Sequence, residues 1–325
     1  MRFRRDEKIF VLLLFVSIIW CYHMLEHLNA QNSKEPSSIV STREAQKKQE
    51  GQLIARGFNP HLLLLIRVPN SGTGVLAALL DKLSTMNRFS HRKEQSDQPL
   101  VTDESRVGFA RQFFSRRTSP VSEYVPTVFF NFAQLGHAQN PVWLVMIRDP
   151  VQKFIANFRT KRKVLCQIRL ENHLLLKGET LENCFQKDIE DCVLSRDPEC
   201  ALPHGREVHS SYSFTIGYFC GSESFCRVMG SKKALDQAKR NAEQFFPVVG
   251  VVEDLHNTFA KLEEILPTYF TGVDLLFHHL SDIQKNEDRE VVQIDEEPLE
   301  VLQQALSLEI DFYNHIRHKL QKSVL

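Results

Sequence analysis

The chain is expected to fold as an α/β protein with a parallel sheet covered by helices on both faces. Three observations predict this. Apolar runs of strand length recur at Leu62–Val68, Val125–Phe132 (VPTVFFNF), Val142–Ile147 (VWLVMI) and Pro247–Val252 (PVVGVV). These runs are continuous rather than alternating, as strands buried on both faces require. Most are followed by a helical pattern, and strands that alternate with helices imply crossovers and so a parallel sheet.

The totals set bounds. The 325 residues are 42% hydrophobic and 25% charged, enough for one large domain or two small ones. Forty Lys+Arg balance forty Asp+Glu, so net charge points neither to nucleic acid nor to a strongly acidic partner. A local basic groove can still sit inside a neutral total. No internal repeat and no N-x-[ST] sequon occurs.

At the N-terminus, Arg2, Arg4, Arg5 and Lys8 precede a run of 17 largely apolar residues, Ile9–Leu25. That is near the lower limit for a membrane-spanning helix. The basic flank predicts a cytosolic tail over residues 1–8, a signal anchor over 9–25 and a luminal remainder. A cleaved signal peptide is the rival, because Leu28-Asn29-Ala30 resembles a cleavage site. Trp20, Tyr22 and His23 read instead as an interfacial belt. The short span suits an early secretory or Golgi membrane. Residues 26–57, rich in Gln, Ser, Lys and Glu, read as a luminal stem with little fixed structure, and 58–325 as the domain.

The domain opens on His61–Leu83, HLLLLIRVPNSGTGVLAALLDKL. An apolar strand ends at Pro69, and Asn70-Ser71-Gly72-Thr73-Gly74 make a small hydroxyl-rich turn. Val75, Leu76, Leu79, Leu80 and Leu83 then recur at helical spacing. Such a unit aims backbone N–H groups and the positive end of a helix dipole at one point, which is an anion site. An ordinary strand-to-helix turn is the bland alternative. The pattern G-x-x-x-x-G-K-[ST] is absent, so triphosphate hydrolysis is not supported, nor is a nucleotide kinase.

Asn87–Ser119 is polar and holds Arg88, His91, Arg92, Lys93, Arg106, Arg111, Arg116 and Arg117. It reads either as a solvated face or as a basic wall for a polyanion. Arg148 ends the Val142–Ile147 run and precedes Asp149-Pro150, the position where open α/β sheets bind ligands, unless a buried ion pair occupies it. Ser231 reads as the N-cap of a helix to about Phe245. A helix follows Glu253-Asp254 through Leu266. Pro298–Leu320 reads as one long helix with apolar Leu302, Leu306, Ile310, Tyr313 and Ile316.

Six of seven cysteines lie between Cys166 and Cys226. Cys192 with Cys200, and Cys220 with Cys226, are close enough for loop-closing disulfides. Zinc is disfavoured because C-x-x-C pairs are missing. Cys166 and Cys184 remain, either to pair with each other or to leave one that links chains.

Together these segments resemble the uronyl 2-O-sulfotransferase family, with its heparan sulfate, dermatan/chondroitin and Pipe-like branches. The resemblance is carried by RVPNSGTG (67–74), FFNFAQLG (129–136), VWLVMIRDPVQKFIANF (142–158), Cys192 with Cys200, GYFCGSESFC (217–226), ALDQAKRN (234–241) and VVGVVEDL with LEEILPTYFTG (248–272). It implies a PAPS-dependent (3′-phosphoadenosine 5′-phosphosulfate) sulfotransferase domain, P-loop-like, behind a type II single-pass Golgi anchor. The donor would be PAPS, with no metal. The acceptor would be a hexuronic acid 2-hydroxyl of a glycosaminoglycan, and the heparan sulfate branch implies a homotrimer.

Carried over by residue, the donor would meet Arg67, Asn70, Ser71, Gly72, Thr73, Gly74, Arg148, Ala156 and Lys285. Here the chain departs from the pattern. The loop lysine of R-[IV]-P-K is Asn70, and the serine that would hold the 3′-phosphate is Ala156. Of the basic L-R-K-T-like run only Lys285 remains, in Ile283–Asn286. The general-base histidine falls on Pro126, which takes no proton. His137, Glu123 and His91 are substitute candidates, each with an ordinary structural alternative. The second reading is therefore a catalytically impaired relative that binds sulfated glycan or partners an active enzyme.

Overall fold

The computed structural model describes residues 37–93, 102–115, 120–172, 180–207, 214–279 and 291–322. The apolar run Ile9–Leu25 lies outside them. Among the described residues no helix is long and apolar enough to cross a membrane.

Helix α1, Ser37–Ala55, occupies the stretch whose composition predicts little fixed structure. Its Glu, Gln, Lys and Ala residues favour helix as readily as they favour solvent. From Gln49 onward the chain forms one compact unit. Within that unit Leu53 is buried and Glu50 accepts a hydrogen bond from the Thr268 hydroxyl.

β1 (Phe58–Ile66), α2 (Thr73–Asn87), β2 (Ser90–Lys93), α3 (Asp103–Phe114), β3 (Val121–Val125) and β4 (Asn140–Leu144) follow. The four strands form a parallel sheet in the order β2-β3-β1-β4. After Val145 alone, β5 (Met146–Ile147) pairs in parallel with β6 (Gly250–Val251), and Gly250 N–H donates to the Val145 carbonyl at 2.9 Å. β3 ends at Val125, where the sequence pattern has a strand begin. Pro126 has no N–H to continue the ladder, and Phe129–Phe132 pack into the core outside the sheet.

Strand side chains divide between two faces with the period of two. Leu62, Leu64, Ile66 and Trp143 face a core closed by α3, α4 (Pro150–Glu171), α8 (Lys232–Phe245) and α13 (Ser307–Lys322). Leu63, Leu65, Val142 and Leu144 face a second core closed by α2, α9 (Leu255–Ile265), α10 (Pro267–Phe270) and α11 (Val273–His279). The shorter α5 (Leu181–Phe185), α6 (Ile189–Leu194) and α7 (Ile216–Cys220) precede α8.

The C-terminal region is two helices rather than one, α12 (Glu296–Ala305) and α13, broken at Leu306. Both sides of the break bury apolar residues in the first core, so the bend lets one amphipathic stretch follow a curved surface. Disulfides join Cys192 to Cys200, Cys220 to Cys226 and Cys166 to Cys184.

Candidate functional site

All strands are parallel, so their C-terminal ends share one edge. That edge collects the turn after β1, Pro126 after β3, Arg148 after β5 and Glu253 after β6. This is where open α/β sheets bind ligands.

The turn Arg67–Gly72 is fixed by both its neighbours. Arg67 N–H donates to the Val125 carbonyl at 2.8 Å, and its guanidinium stands 5.0 Å above the Tyr124 ring. The Thr73 hydroxyl donates to the Val68 carbonyl at 2.8 Å, and Ser71 is fully buried beneath the turn. Asn70 and Gly72 take the left-handed conformation, with φ 53° and 71°. Gly72 packs directly on the ends of β5 and β6: a Cβ there would lie 2.8 Å from a Val252 methyl. The gap below the turn is about 10 Å³ and apolar, lined by Val75, Met146, Val252 and Phe259, so the turn is seated closely on the core beneath it. No group among the described residues accepts from the backbone N–H groups of Ser71, Gly72 and Thr73. They head the 15-residue α2, so the turn offers an anion unpartnered donors and a helix dipole.

Arg148 is buried at the end of β5. Its neighbour Asp149 does not serve as a lone acid here. Asp149 caps α4 by accepting from Val151 and Gln152 N–H groups at 3.0 Å, while its own N–H donates to Glu253 at 2.9 Å. The Tyr313 hydroxyl donates to the other Glu253 oxygen at 3.0 Å. Burial pushes the Glu253 carboxyl above the usual range, against the hydrogen bond from Asp149. Glu253 and Tyr313 thus lock the Arg-Asp-Pro corner from β6 and α13.

The turn also reaches α4. The Asn70 amide nitrogen donates to the Asn157 side-chain oxygen, and the Thr160 hydroxyl lies 3.3 Å from the Asn70 side-chain oxygen. Ala156 is half-buried in the same stretch, and its carbonyl accepts from Thr160 at 2.9 Å. Lys285 lies outside the described residues.

The residues weighed as proton acceptors are scattered. Pro126 is buried at the sheet edge beside the turn. His137 precedes β4, at the opposite end of the parallel strands, and stacks on Phe114 with ring centres 4.1 Å apart. Glu123 is buried within β3 on the face toward α3. His91 on edge strand β2 bonds the Ser122 hydroxyl through Nδ1 at 2.7 Å, and burial, helped by Lys93, pushes its imidazole down to about 4. It is therefore neutral at pH 7. In the basic region between Arg88 and Arg117, Arg106 is buried on α3 and stands 5.8 Å from the Phe130 ring, so that part is core and not a solvated face. A cleft of about 670 Å³ opens beside it, lined by Arg106, Phe129, Asn131, Gln134, Ser222, Glu223 and Gln244, among others. Among the described residues no His/Cys/Asp/Glu group could hold a metal ion.

Asn157, Thr160, Glu253 and Tyr313 were not legible as site residues. Thr160 and Tyr313 lie outside every segment that carries the resemblance, Asn157 and Glu253 lie inside two of them without an assigned role, and only the packing of α4, β6 and α13 at the sheet edge brings the four there.

No family model matches the chain. Its sequence is similar to uronyl 2-sulfotransferase from Mus musculus, 32% identical over 59% of this chain and 45% of that protein. It is also similar to the uronyl 2-sulfotransferase homolog pip from Drosophila melanogaster, 28% identical over 78% of this chain and 51% of that protein. Heparan sulfate 2-O-sulfotransferase 1 from Xenopus laevis is 23% identical over 96% of this chain and 87% of that protein. The chain thus spans about half the length of the uronyl relatives it matches.

Proposed function

We propose that this chain, a divergent member of the family of uronyl and heparan sulfate 2-O-sulfotransferases, transfers sulfate from PAPS to a hexuronic acid 2-hydroxyl of a glycosaminoglycan. One observation carries the reading: the turn Arg67–Thr73, in which the N–H groups of Ser71, Gly72 and Thr73 have no partner among the described residues, shares the sheet edge with Arg148. A dianionic 5′-phosphosulfate suits such a cradle. By the resemblance, Arg148 and the position of Ala156 would flank the 3′-phosphate, and Lys285 would belong to a later donor-binding loop. In the transfer, the acceptor oxygen bonds to sulfur as the bond from sulfur to the phosphate oxygen breaks, and the hydroxyl proton passes to a base. The chain's own part is to hold the leaving phosphate on fixed donors, which act on charge as it develops.

The N-terminal run then serves as a signal anchor, with residues 26–57 as the luminal stem and a Golgi location. The glycosaminoglycan is the partner, and assembly as a homotrimer follows the resemblance. A second reading rests on one residue. By the resemblance, Pro126 falls at the position of the general base, and loss of a general base lowers rate by about 10²–10⁴. A chain that binds sulfated glycan, or partners an active sulfotransferase, without efficient transfer of its own is consistent with that residue.

Titration of the full-length chain with 3′-phosphoadenosine 5′-phosphate tests the donor reading. Micromolar binding, weakened about 100-fold by Arg148→Ala, is expected from loss of a buried charged hydrogen-bond donor. Absence of heat up to millimolar nucleotide, with the chain folded, would overturn it. Binding without sulfate transfer to a 2-O-desulfated acceptor would select the second reading.

A further inference from the structure

The brace between the turn and α4 joins residues 87 apart in sequence. Asn70 contributes both halves of its amide. One N–H goes to Asn157 Oδ1, and Oδ1 faces the Thr160 hydroxyl at 3.3 Å, which shares its one proton between Asn70 and the Ala156 carbonyl at 2.9 Å. The second Asn70 N–H has no partner among the described residues, and Asn70 is half-buried beside the unpartnered N–H groups of Ser71, Gly72 and Thr73.

Asn157 is the unusual partner. It is 2% exposed, and its own amide nitrogen is buried with nothing to bond. Buried polar groups normally find partners, so a residue that leaves a donor stranded must act through its other end. That other end is the oxygen bonded to Asn70. An apolar residue in the same place would leave nothing unsatisfied and would release Asn70.

We propose that Asn157 and Thr160 are positioning residues for the anion site: they hold the Asn70 amide so that its free N–H faces the 5′-phosphate of the nucleotide. The inference rests on the donor reading above and deepens it. The turn then grips the anion through neutral hydrogen bonds, and the orientation of one amide is set from a neighbouring helix.

A double-mutant cycle on the full-length chain tests this. The probe is 3′-phosphoadenosine 5′-phosphate, with adenosine 3′-phosphate, which lacks the 5′-phosphate, as the comparison. Asn70→Ala and Asn157→Leu are each expected to weaken binding of the first by roughly tenfold, the range of one hydrogen bond to a charged group. Because Asn157 acts through Asn70, the double variant should be no worse than Asn70→Ala. Adenosine 3′-phosphate should bind all of them equally. Thr160→Val, on the exposed face, should weaken binding by about threefold, and it decides the matter if Asn157→Leu does not fold. Native-like affinity in Asn157→Leu or Thr160→Val, additive losses in the double variant, or equal losses with both nucleotides would overturn the inference while leaving the donor reading intact. Failure of the unsubstituted chain to bind either nucleotide would remove both.

Discussion

At the residue scale, the turn between β1 and α2 depends on Gly72 in two ways. Its φ of 71° lies in the left-handed region, which an L-residue enters at about 1–2 kcal/mol. An added Cβ would also stand 2.8 Å from Val252, a rigid branched side chain at the end of β6. Gly72→Ala should therefore destabilise the protein by about 2 kcal/mol. The same shift should weaken nucleotide binding, because the N–H groups of the turn move with it. Urea unfolding of the two proteins side by side checks the first point, and a midpoint equal to the unsubstituted chain's would contradict it. Asn70 tolerates its own left-handed backbone better, since asparagine enters that region more readily than most residues.

At the scale of elements, a buried polar clasp ties α4, α7 and α13 together. The Lys153 ammonium donates to the Thr215 hydroxyl at 2.9 Å, and the Thr215 and Ile216 N–H groups donate to the Glu309 carboxylate, the first at 2.8 Å. Both charged residues are almost fully buried. Burial pushes the Lys153 amine down and the Glu309 carboxyl up to about 7, each partly opposed by the other's charge. A carboxyl whose folded value lies above its unfolded one keeps a proton that the unfolded chain has released. Its contribution is present below about 4.5 and is lost as pH rises toward the folded value. Lys153→Met removes the charge that opposes this rise, so Glu309 is strained further at neutral pH. The variant should lose about 3 kcal/mol at pH 7 and less than about 1 kcal/mol at pH 5. Denaturant unfolding at the two pH values measures this, and an equal loss at both would show that Glu309 is not the group responsible. The clasp also holds the start of α4 in place, and α4 carries Asn157 and Thr160 to the turn.

At the scale of the whole molecule, the described residues between α4 and α7 carry the short helices α5 and α6 and are held by cross-links. The bond from Cys166 to Cys184 closes a loop of 18 residues and fastens the exposed end of α4 to α5. Arg162 reinforces it by donating to the Cys184 carbonyl at 2.6 Å and pairing with Glu199 at 2.9 Å. Replacing both cysteines by serine should lower stability by about 3 kcal/mol, mostly by freeing the unfolded chain. The comparison of denaturant midpoints between this variant and the native chain tests that value. A loss well below 1 kcal/mol would mean that the ion pairs alone hold the segment. The sequence by itself determined the α/β class, because continuous apolar runs alternating with helical ones report burial on both faces without any need for contacts. It determined the strand, turn and helix over 61–83 too, since glycine and small hydroxyl residues between a strand and a helix are a local signal. Only the tertiary structure decided where β3 stops, how the C-terminal helix breaks at Leu306, and that Cys166 pairs with Cys184. It alone brought Asn157, Thr160, Glu253 and Tyr313 to the sheet edge. These depend on residues that lie tens to hundreds of positions apart, and hydrophobic periodicity carries no information about which distant polar groups will meet.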